Sequence, residues 1–228
     1  MKTLALISAR GGSKRIKNKN IKSFLGSPII SYPIKTALKS KLFDEVMVST
    51  DSIEISKISK QFGATVPFMR SDKNASDFAT IIDVIIEVCN SYEKIGKKFD
   101  FICCIFPCTP LLKTNDLERA FNLLKKNKLD CVFPIVKYSF PIQRAVKIND
   151  RNLVEMFNPE HLITRSQDLT PSFHDIGQFY FLKTSAVFKE KMLVTNNTGY
   201  IEKTELESQD IDNELDWKLA EIKYNSIM

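Results

Sequence analysis

A glycine turn surrounded by cations lies near the start of the chain. The turn is Gly11-Gly12, and it is flanked by Arg10, Lys14, Arg15, Lys17 and Lys19. It follows an apolar run at residues 3–7 that predicts a buried strand, and glycine lets the backbone take positive φ and approach a ligand closely. Cations around such a turn suit a polyphosphate, although neither a P-loop nor Gly-x-Gly-x-x-Gly is present. The alternative is an exposed basic loop that only adds solubility.

Two carboxylates near the end of the chain, Asp210 and Asp212, alternate around Ile211. In an extended segment, residues two apart point to the same side, so the pair repels and a divalent cation would relieve the repulsion. Mg²⁺ prefers hard oxygen ligands and is usually completed by phosphate and water, which links this motif to the basic turn. The alternative is structural, with Asp212 or Asn213 capping the helix that follows.

Charge is distributed unevenly along the chain. The net charge is +6, but residues 1–43 hold ten Lys or Arg and no acidic residue. The remaining residues carry 23 bases and 27 acids, a net charge of −4. Nucleic-acid-binding proteins usually spread their basic face and interleave it with aromatic residues. An excess gathered around one turn favours a compact anionic ligand, and no nucleic-acid partner is expected.

Length and composition indicate an ordinary globular protein. The 228 residues suit a single domain spanning 1–228, with 43% hydrophobic and 26% charged residues. No apolar run is long enough to span a membrane, and Met1 leads directly into a charged residue and a strand, which disfavours a signal peptide. The five cysteines lack the spacing of a disulfide framework or a zinc site. Buried thiols and a cytoplasmic location are therefore expected.

Strand and helix patterns alternate along the chain. Strands are predicted at residues 3–7, 45–51, 65–68, 99–106, 130–136 and 177–182, and helices at 52–62, 78–95, 114–125 and around Trp217. The short joints predict an α/β doubly wound sheet, whose ligands sit at the carboxyl ends of the strands. Ser27-Pro28 predicts a further helix start, with Pro in the first turn. Residues 137–175 lack a sustained period, which is typical of a functional loop or an interface.

Three motifs, in this order, resemble those of the CMP-sialic acid synthetases, the cytidylyltransferases that activate nonulosonic acids. They are Ala9-Arg10-Gly11-Gly12-Ser13-Lys14 with Lys19-Asn20, then Val48-Ser49-Thr50-Asp51, then Asp210-Ile211-Asp212 with Glu214-Leu215-Asp216. The resemblance covers nearly the whole chain. It implies a three-layer, Rossmann-like nucleotidyltransferase with a mainly parallel, mixed sheet. Within the family, Phe173-His174-Asp175 with Gly177-Gln178-Phe179-Tyr180 resembles the pseudaminic acid branch.

The resemblance implies roles for individual residues around the nucleotide. Phosphates of CTP would be held by Arg10, Lys14 and Lys19 beside Gly11, Gly12 and Ser13, with Asn20 on the nucleotide. Cytosine and ribose would be held by Arg70 with Ser76, Asp77, Ala79 and Thr80. Thr109, in the corner Pro107-Cys108-Thr109-Pro110, is a further substrate-binding candidate. Mg²⁺ would be bound by Asp210 and Asp212.

The sugar would be contacted by His174, Asp175, Gln178 and Tyr180. Residues 138–175 resemble a protruding dimerisation arm that reaches into the partner's active site, where Arg165 or Gln167 would contact the sugar. This implies a homodimer. Phe106 stands where the family has Gln, which implies a more apolar pocket that suits a 9-deoxy sugar such as pseudaminic acid.

Ordinary structural alternatives remain for several of these residues. His174 also suits a polar position at a strand entry, and Tyr180 and Phe181 also suit the core. Arg70 could instead pair with Asp72 or Asp77 on the surface. Arg15 and Lys17 could simply be solvated.

The expected reaction is attack by the anomeric hydroxyl of a nonulosonic acid on the α-phosphorus of CTP, with release of pyrophosphate. Such a step demands positioning and charge neutralisation. The cations around the turn would stabilise the charge on pyrophosphate, and Asp212 would act through Mg²⁺. No side chain is needed as a nucleophile. Two alternatives stay open: a synthetase acting on legionaminic or sialic acid, and a non-enzymatic nucleotide- or nucleic-acid-binding module.

Overall fold

A computed structural model describes residues 1–227 of the chain. Its strands are β1 (Thr3–Ser8), β2 (Ser23–Phe24), β3 (Ser27–Pro28), β4 (Glu45–Ser49), β5 (Phe101–Ile105), β6 (Cys131–Lys137), β7 (Val146–Ile148), β8 (Val154–Met156), β9 (Phe173–Asp175), β10 (Phe179–Lys183) and β11 (Thr198–Lys203). Its helices are α1 (Ser31–Ser40), α2 (Ile53–Gln61), α3 (Asp72–Ala75), α4 (Ile81–Lys94), α5 (Thr114–Lys126), α6 (Thr184–Glu190) and α7 (Glu214–Ile227). Short 3₁₀ turns include Lys19–Ile21 and Glu205–Glu207.

The central sheet has the strand order β11-β6-β10-β5-β1-β4, and β9 adds to β6. Parallel pairing joins β1 to β4 and β5, and β11 to β6. Only β10 and β9 run antiparallel to their neighbours. The sheet is therefore mixed and mainly parallel, as the sequence predicts.

The sheet is covered on both faces, which gives three layers. Alternate residues of β1 separate the two faces, because Ala5 and Ile7 pack in one cluster with α1, α2 and α5, and Leu4 and Leu6 pack in another with α4 and α6. A third cluster joins α7 to the β2–β3 hairpin through Trp217 and Phe24. Each face of β1 and β5 is buried, which explains their continuous apolar runs.

The carboxyl ends of β1, β4 and β5 lie at one edge of the sheet, because these strands are parallel and adjacent. The basic turn follows β1, and Thr50-Asp51 follows β4. Because β10 is antiparallel, its amino end reaches the same edge, where the Phe106 N–H donates to the Gln178 carbonyl at 2.9 Å. The fold thus brings the predicted site residues of four distant segments to one edge.

Two predicted elements were wrong. Ser27-Pro28 is not a helix start: it pairs with Ser23-Phe24 as a hairpin across Leu25-Gly26, both of which have positive φ, as a two-residue hairpin turn requires. The helix begins later, at Ser31. Residues 65–68 form no strand but one bridge from Thr65 to Met47.

Residues 138–175 form an extension from the sheet. Its core is the two-stranded hairpin β7–β8, followed by 3₁₀ turns, and β9 returns to the main sheet beside β6. Many of its apolar side chains are open to solvent, including Phe140, Ile148, Val154 and Ile163. The long loop expected from the sequence is therefore a small structured arm. None of the helices described in residues 1–227 has the length and apolarity needed to cross a bilayer.

Candidate active site

Ten of the predicted site residues line one cleft at the carboxyl edge of the sheet. The cleft has a volume of about 490 Å³. These residues are Arg10, Ser13, Lys14, Lys19, Asn20, Arg70, Ser76, Asp77, Ala79 and Thr80. Phe106 also lines the cleft. The basic turn, Arg70 and the loop before α4 thus surround one cleft, and their roles in binding stay predictions.

The glycine turn is required for close packing and not for an unusual dihedral. Neither Gly11 nor Gly12 has positive φ; the left-handed residue of this loop is Asn18. A Cβ on Gly11 would lie 3.2 Å from Cβ of Ser52, and the Gly11 N–H donates to Asp51 Oδ1 at 2.8 Å. The expectation of positive φ was therefore wrong. The close approach at Gly11 is to Ser52 and Asp51, and close approach to a ligand stays a prediction. Nothing lies within 4 Å of a Cβ placed on Gly12.

Two of the cations in the turn are held by one carboxylate. Arg10 Nη1 lies 2.6 Å from Asp77 Oδ1, and Lys14 Nζ lies 2.5 Å from Asp77 Oδ2. The contact with Lys14, followed by that with Arg10, lowers the pKa of Asp77 below its usual range. We call this arrangement the Asp77 bridge. It shows that Arg10 and Lys14 stand close enough to share one anionic group.

Arg70 is a buried cation at the floor of the cleft, with 7% of its surface exposed. Its Nε donates to Ser49 Oγ at 3.0 Å, and its Nη2 donates to the Ser49 carbonyl at 2.6 Å and to Ser8 Oγ at 2.9 Å. The surface pairing with Asp72 or Asp77 is not present. Burial lowers the pKa of Arg70, and the Asp51 carboxylate opposes that shift. Since no carboxylate of residues 1–227 forms an ion pair with it, this charge favours an anionic or strongly polar ligand in the cleft.

Lys19 and Asn20 connect the basic turn to the acidic segment. Lys19 Nζ donates to the Ile211 carbonyl at 2.6 Å and lies 3.8 Å from Asp212 Oδ1. Asn20 is buried, and its Nδ2 donates to the Arg10 carbonyl at 2.8 Å. The two ends of the chain therefore meet here, and Lys19 places the acidic pair beside the cleft.

Asp212 does not cap the last helix. Asn213 does so: its Oδ1 accepts from the backbone N–H groups of Leu215 and Asp216, and Asp216 Oδ2 accepts from the Asn213 N–H. The Asp212 carboxylate points elsewhere, 2.7 Å from Arg15 Nη2. Arg15 is thus paired rather than merely solvated. Asn213 is therefore the residue that caps the helix, and the carboxylate of Asp212 can interact with a cation.

The acidic pair fits a hard divalent cation. Burial, and then the charge of Asp212, raise the pKa of Asp210, so the two carboxylates lie close enough to repel. Asp210 also lies over Gly177, because a Cβ there would be 4.0 Å from the Asp210 Cγ. In residues 1–227 no group of three or more His, Cys, Asp or Glu is placed to hold a metal alone. The donor set therefore suits an ion such as Mg²⁺ whose coordination is completed by phosphate and water.

The residues predicted to face the sugar form a hydrogen-bonded group at the start of β10. The Tyr180 hydroxyl donates to Asp175 Oδ2, while the Gly177 N–H donates to Asp175 Oδ1. Burial and the Asp175 carboxylate raise the pKa of Tyr180, so its hydroxyl stays protonated. Tyr180 also packs against Phe106 and Phe133, which makes it part of the core that holds Asp175 in place.

Gln178 and His174 have different surroundings. Gln178 is buried, its Nε2 donates to the Glu207 carbonyl at 2.8 Å, and its Oε1 has no partner within residues 1–227. His174 is exposed, lies 4.6 Å from the Tyr138 ring and contacts the Asp175 carbonyl at 2.9 Å. Gln178 therefore offers a free acceptor, while His174 sits at the base of the arm.

Eleven predicted residues do not line the cleft. Besides Gly11, Gly12, the acidic pair and the four residues predicted to face the sugar, they are Arg165, Gln167 and Thr109. Arg165 and Gln167 are exposed on the arm, where Arg165 pairs with Asp168 at 2.7 Å. Thr109 is buried, and its hydroxyl donates to the Phe106 carbonyl at 2.8 Å. Thr109 thus shapes the corner after β5, and within residues 1–227 its hydroxyl is used there.

Sequence reasoning missed a polar network beneath the site. Lys203 and Asp116 form an ion pair that is almost fully buried. Glu207 lies 2.8 Å from Lys113 Nζ and 3.9 Å from Lys203 Nζ. Because the Glu207 carbonyl also holds Gln178, the network fixes the segment that leads to the acidic pair. The sequence feature that could have indicated this network is Lys203, a lysine within the alternating pattern of β11.

The five cysteines are free thiols, and four of them are buried. Burial raises the pKa of Cys108, the one nearest the cleft, to about 12. A thiol with so high a pKa is a poor nucleophile at neutral pH. The expectation of buried thiols is therefore confirmed at four of the five positions.

A sequence model of the family described as Cytidylyltransferase matches residues 4–208. The pseudaminic acid cytidylyltransferase of Campylobacter jejuni is 39% identical over 227 residues, covering 98% of this chain and 97% of the relative. The N-acylneuraminate cytidylyltransferase A of Danio rerio is 34% identical over 218 residues, 95% of this chain and 49% of the relative. The CMP-N,N'-diacetyllegionaminic acid synthase of Legionella pneumophila is 29% identical over 225 residues, 97% of this chain and 95% of the relative.

Among solved structures, a CMP:2-keto-3-deoxy-manno-octonic acid synthetase complexed with CTP matches with a TM-score of 0.74 and 17% identity, over 100% of both chains. At that identity the likeness concerns the fold. It confirms the three-layer nucleotidyltransferase architecture that the sequence predicts.

Proposed function

The chain belongs to the cytidylyltransferase family, and on that premise we propose that it transfers CMP from CTP to the anomeric hydroxyl of a nonulosonic acid, most closely pseudaminic acid, with release of pyrophosphate. The observation that carries the proposal is that Lys19, which lines the cleft with Arg10 and Lys14, also contacts the segment of the acidic pair, 3.8 Å from Asp212 Oδ1. A triphosphate needs both the cations and the acidic pair, because its own charge must be neutralised while its α-phosphorus is positioned for attack.

Each part of the cleft has a task in this reaction. Arg10 and Lys14 hold the β- and γ-phosphates and stabilise the charge that develops on pyrophosphate. Lys19 neutralises the same charge from the acidic side. Arg70 lies at the floor, where a ligand could offer it oxygen acceptors. Its three hydrogen bonds to Ser8 and Ser49 keep the guanidinium from rotating.

The pair Asp210 and Asp212 would hold Mg²⁺, which supplies charge neutralisation at phosphate oxygens when bound. Because Asp212 Oδ1 is paired with Arg15 Nη2 at 2.7 Å, the ion would compete with Arg15 for this carboxylate. No side-chain nucleophile takes part, because the nearest thiol, Cys108, is protonated at neutral pH.

The choice of sugar is supported by Phe106, which lines the cleft and packs against Tyr180. An apolar side chain at this position favours a deoxygenated, N-acylated sugar over one rich in hydroxyls, because a hydroxyl placed against it would lose its hydrogen bonds. The C. jejuni relative named for pseudaminic acid has the higher identity of the relatives reported above. Legionaminic or sialic acid is the second candidate.

The arm suggests a homodimer in which residues 1–228 form one catalytic domain and residues 138–175 contact the partner. Arg165 and Gln167 point from the arm and do not line this chain's cleft. If either residue contacts the sugar, it does so in the cleft of a second copy. The exposed apolar side chains of the arm supply the surface for such contact.

A reducing, cytoplasmic location is part of the proposal. It is supported by the five free thiols, since unpaired cysteines are typical of reducing compartments.

The proposal is tested by measuring pyrophosphate release with CTP, ATP, GTP and UTP, each combined with pseudaminic, legionaminic and sialic acids. Release is expected only with CTP and to be fastest with pseudaminic acid. Faster turnover with another nonulosonic acid would replace the proposed sugar. Failure with all the sugars would overturn the reaction itself.

The non-enzymatic alternative predicts salt-dependent binding of oligonucleotides without pyrophosphate release. It is disfavoured by the structure, because Asp77 and Asp212 already pair with four of the five cations around the turn. A phosphate backbone would meet a surface of mixed charge.

A further inference from the structure

We propose that Asp77 is a built-in counter-ion that is exchanged for the phosphates of the ligand, and that its return to Arg10 and Lys14 keeps the affinity for pyrophosphate low. The inference rests on the proposed function for the assignment of those two cations to phosphate. It adds a role for Asp77 that differs from a contact with cytosine or ribose.

The geometry of the Asp77 bridge resembles that of a bound phosphate group. Each of the two carboxylate oxygens accepts from a different cation, at 2.6 Å from Arg10 Nη1 and 2.5 Å from Lys14 Nζ. Charge-assisted hydrogen bonds of this kind are the ones that phosphate oxygens also form. Because both cations already neutralise Asp77, a phosphate that binds them competes with Asp77 for the same charges.

The segment that carries Asp77 is held firmly at both ends and loosely between them. Before it, the Ser71 N–H and hydroxyl bond to Glu87. After it, Thr80 and Asp83 form the capping box of α4.

Helix α3 follows the first anchor, and its Asn74 also donates to Glu87. Residues 76–79 connect α3 to the cap of α4, and Phe78 among them is 94% exposed. The described side chains of residues 76–79 make two kinds of polar contact outside this segment: Ser76 Oγ donates to the Lys73 carbonyl close by in sequence, and the Asp77 bridge reaches the basic turn. Asp77 can therefore leave its partners without unfolding either helix.

The exchange is reversible because the contacts of the bridge are open to solvent. The side chains of Arg10, Lys14 and Asp77 are 38%, 75% and 46% exposed. Ion pairs this exposed are weak individually, so a triphosphate aided by its nucleoside displaces them. Pyrophosphate alone has lost the nucleoside contacts, and Asp77 then competes with it more effectively.

The test is calorimetric titration of inorganic pyrophosphate into the wild-type protein and into Asp77→Asn. Pyrophosphate has no base or sugar, so any contact of Asp77 with the nucleoside cannot contribute. We expect the substitution to lower the dissociation constant by about 2- to 30-fold, the range for loss of two exposed ion pairs. The gain should shrink between about 0.05 and 0.5 M salt, because exposed charges are screened.

Two further variants separate the bridge from a general effect of charge. Asp72→Asn makes the same change in net charge nearby, and Asp72 forms no ion pair within residues 1–227; its affinity for pyrophosphate should stay within about 2-fold of wild type. In a double-mutant cycle, Lys14→Gln should reduce the gain produced by Asp77→Asn.

The proposal is overturned if Asp77→Asn binds pyrophosphate no more tightly than wild type, if Asp72→Asn gains as much, or if neither wild type nor Asp77→Asn binds it at millimolar concentration. The result is independent of turnover. An enzyme that is inactive with CTP would defeat the proposed function, whereas the titration would still decide the role of Asp77.

Discussion

Asp212 keeps its carboxylate available because its neighbour Asn213 performs the structural task at the start of α7. Capping requires an oxygen that reaches the first free N–H groups of a helix, and Asn213 supplies it together with Asp216. Adjacent residues with similar side chains thus have separate roles, which makes them separable by substitution.

Replacing Asp212 with Ala should abolish pyrophosphate release while changing the free energy of unfolding by no more than about 0.5 kcal/mol. The reason is that Asp212 contributes a carboxylate to the cleft but no cap. Pyrophosphate release and urea unfolding of the same preparation provide the measurement.

Asn213→Ala is the matched control and should show the opposite behaviour. It removes the cap, so unfolding should become easier by about 0.5–2 kcal/mol, with turnover largely retained at a temperature where the protein is folded. Near-normal activity of Asp212→Ala at saturating Mg²⁺ would contradict the assignment of the acidic pair.

At the scale of elements, the segment after β11 is held by Glu207. Burial alone would raise the pKa of Glu207, but hydrogen bonds from Lys113 and Thr204 outweigh it and lower the pKa to about 2. The pKa of this carboxyl is therefore lower in the folded protein than in the unfolded chain, where it is about 4.5. Such a group stabilises the fold at pH values above the unfolded pKa. The stabilisation is lost as the pH falls through the folded pKa.

Between about pH 4.5 and 2, the free energy of unfolding should therefore fall more steeply for wild type than for Glu207→Gln. Urea unfolding at intervals across that range measures the difference. Glu202→Gln, an exposed position on β11, makes the same charge change and should follow wild type. Parallel acid profiles for all three proteins would show that Glu207 is not such an anchor.

The elements that the sequence predicts best are those with one dominant signal. The apolar run of β5 has no competing interpretation, and α2 begins at its Ser52 cap and ends before Gly63. Ser27-Pro28 has the residue types of a helix start, but it forms a hairpin because Leu25-Gly26 makes a two-residue turn and Phe24 packs against Trp217. Local sequence does not include that tertiary contact.

The site was predictable to a similar degree and for similar reasons. Residue types near the basic turn and the acidic pair indicate a phosphate and a metal, and ten predicted residues do line one cleft. The pairing of Asp77 with Arg10 spans 67 positions, and that of Lys203 with Asp116 spans 87. Such pairs form only in the completed fold, so no local sequence pattern predicts them.

At the scale of the whole molecule, the arm is the surface with the most exposed apolar groups. Ile163 is 92% exposed and Val154 is 72% exposed. Large contiguous apolar patches on a folded protein usually mark interaction surfaces. The arm also holds Arg165 and Gln167 away from this chain's cleft, so dimerisation and sugar binding are expected to be coupled.

Ile163→Asp should therefore lower both the fraction of dimer and the rate of pyrophosphate release, because a charge would be buried in the interface. Analytical ultracentrifugation and the activity assay measure the two effects. Ile222→Asp, at a 62% exposed position on α7, is the control and should remain dimeric. If the Ile163→Asp variant were monomeric and still active, the arm would not be required for catalysis.

Mixing two inactive variants tests more directly whether the arm of one subunit acts in the cleft of the other. A chain with Arg165→Ala and Gln167→Ala and a chain with Asp212→Ala should each be inactive. Hybrid dimers should regain part of the activity, because one cleft then has an intact acidic pair and an intact partner arm. No recovery on subunit exchange would place the sugar contact elsewhere.

Strand β10 lies between β5 and β6, although it is made after both. Strands β5 and β6 cannot complete their backbone hydrogen bonds until residues 179–183 have been made. In a nascent chain that ends earlier, the two strands are not joined, and each has an unpaired edge. The interval from the end of β6 to the end of β10 is about 46 residues, or a few seconds at a ribosomal rate of about 5–20 residues per second. During synthesis, β5 and β6 are therefore joined only when β10 has been made, and β11 and the acidic pair follow it.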